Sequence, residues 1–284
     1  MTSYALTGAT GQLGAITIGL LAEQVGAENV VALARDPARL SDWATKGVSV
    51  RECDFERVET LGPALEGVDR LLLIAGNAVG ARVAQHDAVI AAAKAAGVSL
   101  IVYTSILRAP DCPIALAADH RATEASLAAS GIPHVLMRHG WYSENFTAGI
   151  PAALASGHIL GSAGNGRISA APRADMAAGD AAALINAMGG EVYEISGDSA
   201  FTLSEFAAEV SRQAGRTVAY VDLPQADHVA ALEAAGLPDF VARMFGDSSF
   251  QMSKDVLYDT SGDLARLIGR PTEPIAGAIA RALA

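Results

Sequence analysis

The chain has 284 residues, 51% hydrophobic and 18% charged, with a net charge of −11, which is the profile of a packed α/β protein and excludes a disordered or fibrous one. No Lys/Arg cluster interrupts the negative balance, so a surface that tracks nucleic-acid phosphates is excluded. The start Met1-Thr2-Ser3-Tyr4 has no signal-peptide pattern and no long apolar run follows, so a cytoplasmic protein with no membrane partner is expected.

Apolar β-rich runs alternate with helical spacing through the first half. Strands are predicted at Tyr4–Leu6, Val30–Ala34, Val48–Arg51, Leu71–Ile74, Leu100–Tyr103 and His134–Met137, and helices at Val83–Ala96 and Ala117–Ala129. Gly97 and Gly131 follow those two helices where a left-handed cap is needed. Cys53 and Cys112 stand far apart, without metal-ligand spacing, and are read as reduced thiols; no metal site is expected. Past Met137 the alternation breaks at the glycine-rich stretch Gly161–Gly166. A helix over Arg173–Met188, a strand over Glu191–Ile195 and a capping box between Thr202 and Glu205 follow. The expected fold is α/β, a Rossmann-type doubly wound parallel sheet with a smaller, mostly helical C-terminal lobe. Residues 1–138 and about 170–196 are assigned to the dinucleotide-binding domain, and about 139–169 and 197–284 to a substrate-binding lobe.

Between the first strand and the first helix runs Leu6-Thr7-Gly8-Ala9-Thr10-Gly11-Gln12-Leu13-Gly14. Its glycines serve a tight turn, a close backbone approach to a pyrophosphate, and close helix–strand packing. The helix N-terminus behind them offers unpaired N–H donors and the positive end of a dipole. The second strand ends in Arg35, where an NAD-binding protein carries a carboxylate for the ribose 2′-hydroxyl. A guanidinium there suits a 2′-phosphate, so NADP is expected, with NADPH preferred over NADH. The alternative is an exposed arginine beside Asp36-Pro37, a helix N-cap and first turn. Asp54 is a candidate for the adenine amino group or a surface turn residue.

The glycine spacing, Arg35-Asp36-Pro37, the run Gln85–Val98, Tyr103-Thr104-Ser105, Met137–Phe146 and Asp263–Gly269 together resemble the NmrA-like branch of the atypical short-chain dehydrogenase/reductases. Within that branch the chain is most similar to bacterial NAD(P)H:quinone oxidoreductases of type 2, with triphenylmethane reductases as near relatives. The resemblance implies NADPH-dependent reduction. It also implies dinucleotide contacts from Gly8, Ala9, Thr10, Gly11, Gln12 and Leu13, from Arg35, and from Ala75, Gly76 and Asn77. The loop His139, Gly140, Trp141, Tyr142, Ser143 and Glu144 is placed beside the nicotinamide, and Ala171–Ala177, with Arg173, at the last contact region.

Short-chain dehydrogenases carry a tyrosine and a lysine four residues apart as a proton relay, and no tyrosine of this chain has lysine four positions later. Against the family pattern, His120 falls at the lysine position and Leu116 at the tyrosine position. A ketone receiving hydride becomes an alkoxide whose basicity approaches that of hydroxide (~16 for water) and needs a positioned acid. A quinone becomes a phenolate-like anion of pKa near ~10, which solvent protonates. The expected activity is therefore hydride transfer from NADPH to a quinone or similar electrophilic acceptor. A redox sensor that binds NADP without turnover and a triphenylmethane-dye reductase are the alternatives. His120 is either a proton donor or one half of a solvated pair with Glu124. Tyr142, with Trp141, is read as a flat wall for the acceptor and Asn145 as a hydrogen-bond donor to its carbonyl, core packing being the competing account. A homodimer is possible.

Overall fold

The computed structural model describes residues 1–78 and 80–284. In chain order the strands are β1 (Tyr4–Leu6), β2 (Val30–Ala34), β3 (Ser49–Glu52), β4 (Arg70–Leu73), β5 (Leu100–Ile106), β6 (His134–His139), β7 (His158–Gly161), β8 (Val192–Ile195) and β9 (Ala219–Asp222). The helices are α1 (Gln12–Val25), α2 (Ser41–Thr45), α3 (Leu61–Leu65), α4 (Arg82–Ala96), α5 (Ala117–Ser130), α6 (Ser143–Thr147), α7 (Ile150–Ser156), α8 (Arg173–Asn186), α9 (Leu203–Ala214), α10 (Gln225–Ala234), α11 (Asp239–Met252), α12 (Asp263–Ile268) and α13 (Ile275–Leu283).

Among the described residues, seven strands form one sheet in the order β3-β2-β1-β4-β5-β6-β8, with every ladder parallel. Side chains alternate between its faces, as the two-residue period of a strand requires. Leu6, Ala32, Leu72 and Val102 pack under α1, α8 and α12. Ala5, Val31, Leu33, Leu71, Ile101 and Tyr103 pack under α3, α4 and α5. Both faces are covered, which is why β2 and β5 are buried along their whole length. The chain runs outward from β1 to β3 and then returns to place β4 on the other side of β1. That reversal opens a crevice beyond the carboxyl ends of the strands.

The sequence places β1 and β2 to the residue. β5 and β6 run past the expected ends at Tyr103 and Met137, because their ladder continues through Ser105↔Arg138 and Ile106↔His139. Polar residues end a strand in a hydrophobicity reading. Here Arg138 is tolerated because Glu124 and Glu194 pair with it at 2.9 Å and 3.2 Å. Gly97 and Gly131 adopt left-handed conformations, with φ of 78° and 74°, and end α4 and α5 as expected. The capping box at Thr202 and Glu205 also forms.

A third apolar cluster joins the end of β5 and the start of α5 to α7, α9 and α13 through Leu107, Ile114, Ile150, Phe206, Val210 and Ile279. This region is helical apart from the parallel pair β7 and β9. The pair went unread because its strands are short and mostly solvent-facing. Among the described residues no helix is long and apolar enough to cross a membrane.

Candidate active site

The turn after β1 is shaped by what its glycines leave out. Gly8 has φ of +62°, a conformation that a side chain disfavours. Gly11 N–H closes the turn on Gly8 O at 2.9 Å. A Cβ on Gly14 would stand 2.3 Å from Gly8 O, so only glycine lets α1 pack this closely on the turn. Gly11 is the N-cap and supplies no side-chain cap, and the first turn of α1 holds no acidic residue. The first N–H groups of a helix have no partner within it. The cradle therefore fits a dinucleotide pyrophosphate. Gly8, Thr10 and Gly11 open directly onto the groove, Gln12 is exposed, and Ala9 and Leu13 are buried behind it.

From this cradle a cavity of about 380 Å³ extends across the ends of β2 and β3, past Leu33, Arg35, Cys53, Asp54 and Phe55. Arg35 is exposed at its rim. Its guanidinium makes no hydrogen bond or ion pair with a described residue, which suits a ligand phosphate. Asp36 caps the short turn of helix that follows by accepting from Ala38 N–H, with Pro37 in its first position, so that reading of Asp36-Pro37 holds as well. Asp54 also lines the cavity, while its Oδ1 accepts from Glu56 N–H at 3.1 Å as a turn residue does. Burial pushes the Cys53 thiol up to about 12, which keeps it unreactive.

The segment after β4, residues 74–77, lines both this cavity and a second one that adjoins it. Side chains from three elements hold its backbone. Ile74 N–H donates to Thr7 Oγ1 at 2.9 Å, Ala75 N–H to Thr104 Oγ1 at 2.8 Å, and Gly76 N–H to His86 Nε2 at 3.2 Å. Arg82 Nε donates to Gly76 O at 2.6 Å. His86, an acceptor at Nε2, must donate from Nδ1 to Thr123 Oγ1, 3.0 Å away. Burial and the neighbouring Arg82 charge hold its pKa down at about 4, so it is neutral.

The second cavity, about 260 Å³, contains His120, His139, Gly140, Trp141, Tyr142 and Asn145 on its walls. The expected pairing of His120 with Glu124 is not formed. Glu124 is bound to Arg138 and to Ser105 Oγ, while His120 is buried and lies 2.8 Å from the Tyr103 hydroxyl through Nδ1. A phenol is the better donor, so Tyr103 gives its hydrogen to Nδ1, and the Nε2–H of His120 is left for the cavity. Burial, then the Arg82 charge, push His120 down to about 3. The imidazole is therefore neutral near pH 7, a hydrogen-bond donor rather than a cationic acid.

Trp141 and Tyr142 both reach the cavity while also packing on the apolar clusters behind them. The guanidinium of Arg173 lies 4.4 Å from the centre of the Tyr142 ring, and its Nη2 donates to Asn145 Oδ1 at 3.1 Å. Glu144 accepts from Arg173 N–H. Arg173 and Glu144 form a polar rim outside the cavity, tied to its wall through Asn145. Ser143 is fully buried and lines neither cavity. Its N–H is bound to Ala171 O at 2.9 Å, so its contribution is to fix the loop. Below, His139 Nε2 meets Asp180 Oδ1 at 2.8 Å.

Sequence reasoning missed Thr7, Arg82, His86, Thr104 and Asp180. The first four hold or flank residues 74–77 across separations of up to 67 residues, which no local pattern records. Asp180 is a carboxylate on the buried side of α8, the one signal that was available. Among the described residues no group of three or more His, Cys, Asp or Glu side chains is arranged to hold a metal ion.

The family model for NAD(P)H-binding proteins matches residues 8–187. Quinone oxidoreductase 2 of Escherichia coli (strain K12) is 49% identical over 277 residues, covering 97% of this chain and 96% of that protein. The crystal structure of the Escherichia coli NADPH-dependent quinone oxidoreductase complexed with NADPH superposes with a TM-score of 0.96 at 48% identity, covering 98% of this chain and 99% of that one. Triphenylmethane reductase of Citrobacter sp., complexed with NADP(H), superposes with a TM-score of 0.95 at 32% identity, covering 99% of this chain and 100% of that one. The chain belongs to the NAD(P)H-binding family, within the Rossmann-fold reductases that include quinone oxidoreductase 2 and triphenylmethane reductase.

Proposed function

We infer that the protein is an NADPH-dependent oxidoreductase that reduces a quinone by two electrons to the hydroquinone. One observation carries the reading: two cavities adjoin at residues 74–77, which line both. The first offers a glycine cradle and a free guanidinium at Arg35, as an NADP phosphate requires. The second offers Trp141 and Tyr142 as a flat wall, with Asn145 beside them, where the nicotinamide and a quinone would meet. When bound, NADPH supplies the hydride; the protein supplies proximity and orientation. His120 Nε2–H would hold an acceptor oxygen, and Tyr142, whose pKa burial pushes up, stays a neutral wall and donor. Gly8, Thr10 and Gly11 would hold the pyrophosphate, and the cofactor would pass Ala75, Gly76 and Asn77 to bring its nicotinamide into the second cavity.

The test follows nicotinamide absorbance with NADPH and with NADH against benzoquinone, menadione and malachite green. Acceptor-dependent oxidation of NADPH by the quinones is expected. No loss of absorbance with any acceptor would remove the reading, and tight NADPH binding with that silence would mark a sensor instead. A homodimer belongs to the same reading, supported by the exposed Phe240 and Phe245 on α11 and measured by sedimentation. So does a cytoplasmic location, supported by the two free cysteines Cys53 and Cys112.

A further inference from the structure

Arg82 is placed where stability alone would not put it. It opens α4, and a cation in the first turn faces the positive end of the helix dipole. Its side chain is 5% exposed, and it forms a long ion pair with Asp119, Nη1 to Oδ2 at 3.8 Å, beyond hydrogen-bond distance. Both of those atoms are buried without a hydrogen-bond partner among the described residues. Of the five N–H groups on the guanidinium, the one at Nε is bound, to Gly76 O. The histidines beside it, His86 and His120, are both neutral, held so by burial and by the charge of Arg82 itself. The residue borders the second cavity with His120, Thr104 and Tyr142. A buried, under-bonded cation next to a cavity favours any negative charge that arises there.

We propose that Arg82 is the oxyanion-binding group of the acceptor cavity, and that its charge selects neutral acceptors that become anions over acceptors that are already cations. The proposal rests on the quinone-reductase reading above. A quinone enters neutral, takes up the hydride with its electron pair, and becomes a hydroquinone monoanion; solvent then supplies the proton that completes the hydroquinone. The negative charge appears during hydride transfer, and the guanidinium stabilises it as it forms. A triphenylmethane dye enters as a cation and becomes neutral on taking the hydride, so the same guanidinium repels the substrate and gains nothing from the reaction.

The experiment compares wild type, Arg82→Met and Arg82→Lys, each with benzoquinone and malachite green as acceptors. Arg82→Met should lose roughly 10²-fold in kcat with the quinone, the cost of removing one oxyanion donor. Its dye reduction should hold steady or rise by up to about tenfold in kcat/KM as like-charge repulsion is relieved. Arg82→Lys should recover part of the quinone rate. A parallel fall with both acceptors, or no change with either, overturns the proposal and leaves Arg82 as a clamp on Gly76. A second readout needs no turnover: 4-nitrophenol titrated into the protein should bind as the yellow phenolate to wild type, and lose that preference by roughly tenfold in Arg82→Met. Equal preference in both proteins overturns the proposal. Should wild type oxidise NADPH with neither acceptor, the functional reading falls on its own while the nitrophenolate readout still decides for or against Arg82.

Discussion

Asp180 Oδ1 lies 2.8 Å from His139 Nε2, with both side chains withdrawn from solvent, and this contact ties α8 to the end of β6 directly behind the acceptor cavity. Removing one member of a buried pair strands the other and costs about 3–5 kcal/mol, whereas replacing both by apolar residues is often neutral or stabilising. Asp180→Ala and His139→Leu are each expected to lower unfolding free energy in urea by roughly 3 kcal/mol, and Asp180→Leu with His139→Leu to recover most of that loss. Strictly additive losses would show the two groups to be uncoupled.

Arg35 directly follows β2 beside the first cavity, without a partner among the described residues. A hydrogen bond to a charged group contributes about 1.5–3 kcal/mol, so Arg35→Ala should weaken NADPH binding by roughly 10- to 150-fold. NADH, which has no 2′-phosphate, should change little. Calorimetric titration of both nucleotides checks this, and equal weakening would remove the phosphate role.

Gly14 and Gly62 separate two uses of glycine. A Cβ at Gly14 meets Gly8 O at 2.3 Å, while at Gly62 it meets nothing within 4 Å. Gly14→Ala is expected to cost about 1–3 kcal/mol through overpacking and to push α1 off the phosphate cradle, with loss of NADPH affinity. Gly62→Ala, in α3, should stabilise by about 0.4–1 kcal/mol by restricting the unfolded chain. Thermal unfolding with and without NADPH reads both.

His86 is fully buried, and burial first and then Arg82 lower its pKa from 6.5 to about 4. A group with a depressed folded pKa takes up protons more readily when unfolded. Its stabilisation is therefore complete above pH 6.5 and fades as pH falls toward about 4. Stability should drop by up to about 1.4 kcal/mol per pH unit in that window from this residue. Denaturation curves at pH 7 and pH 5 measure it, and His86→Gln should remove its share of the difference and leave that of His120, which burial lowers across the same window.

The cofactor half of the site was legible because its parts are local. Gly8, Gly11 and Gly14 are spaced within a single turn, and Arg35 follows its strand directly. The acceptor half is assembled from distant segments. His120 shows why it resisted reading: on the sequence its neighbour is Glu124, one helical turn away, but in the fold its partner is Tyr103 on β5, while Glu124 turns to Arg138. A helical spacing states which side chains share a face, and not which face is buried. β7 and β9 were lost for a related reason, since each is too short and too exposed to show alternation.

Residues 74–77, common to the two cavities, are pinned from several sides. Thr7, Thr104, His86 and Arg82 together occupy four of their main-chain groups. The segment is therefore a fixed wall rather than a hinged flap. A cofactor running along it from the first cavity finds its path already set, and its nicotinamide would meet the acceptor inside the second cavity, within the ~3–3.5 Å that hydride transfer needs and with no protein between them. Kinetically this favours a ternary complex in which both ligands are seated together, and direct passage of the hydride between them without a covalent stop on the protein.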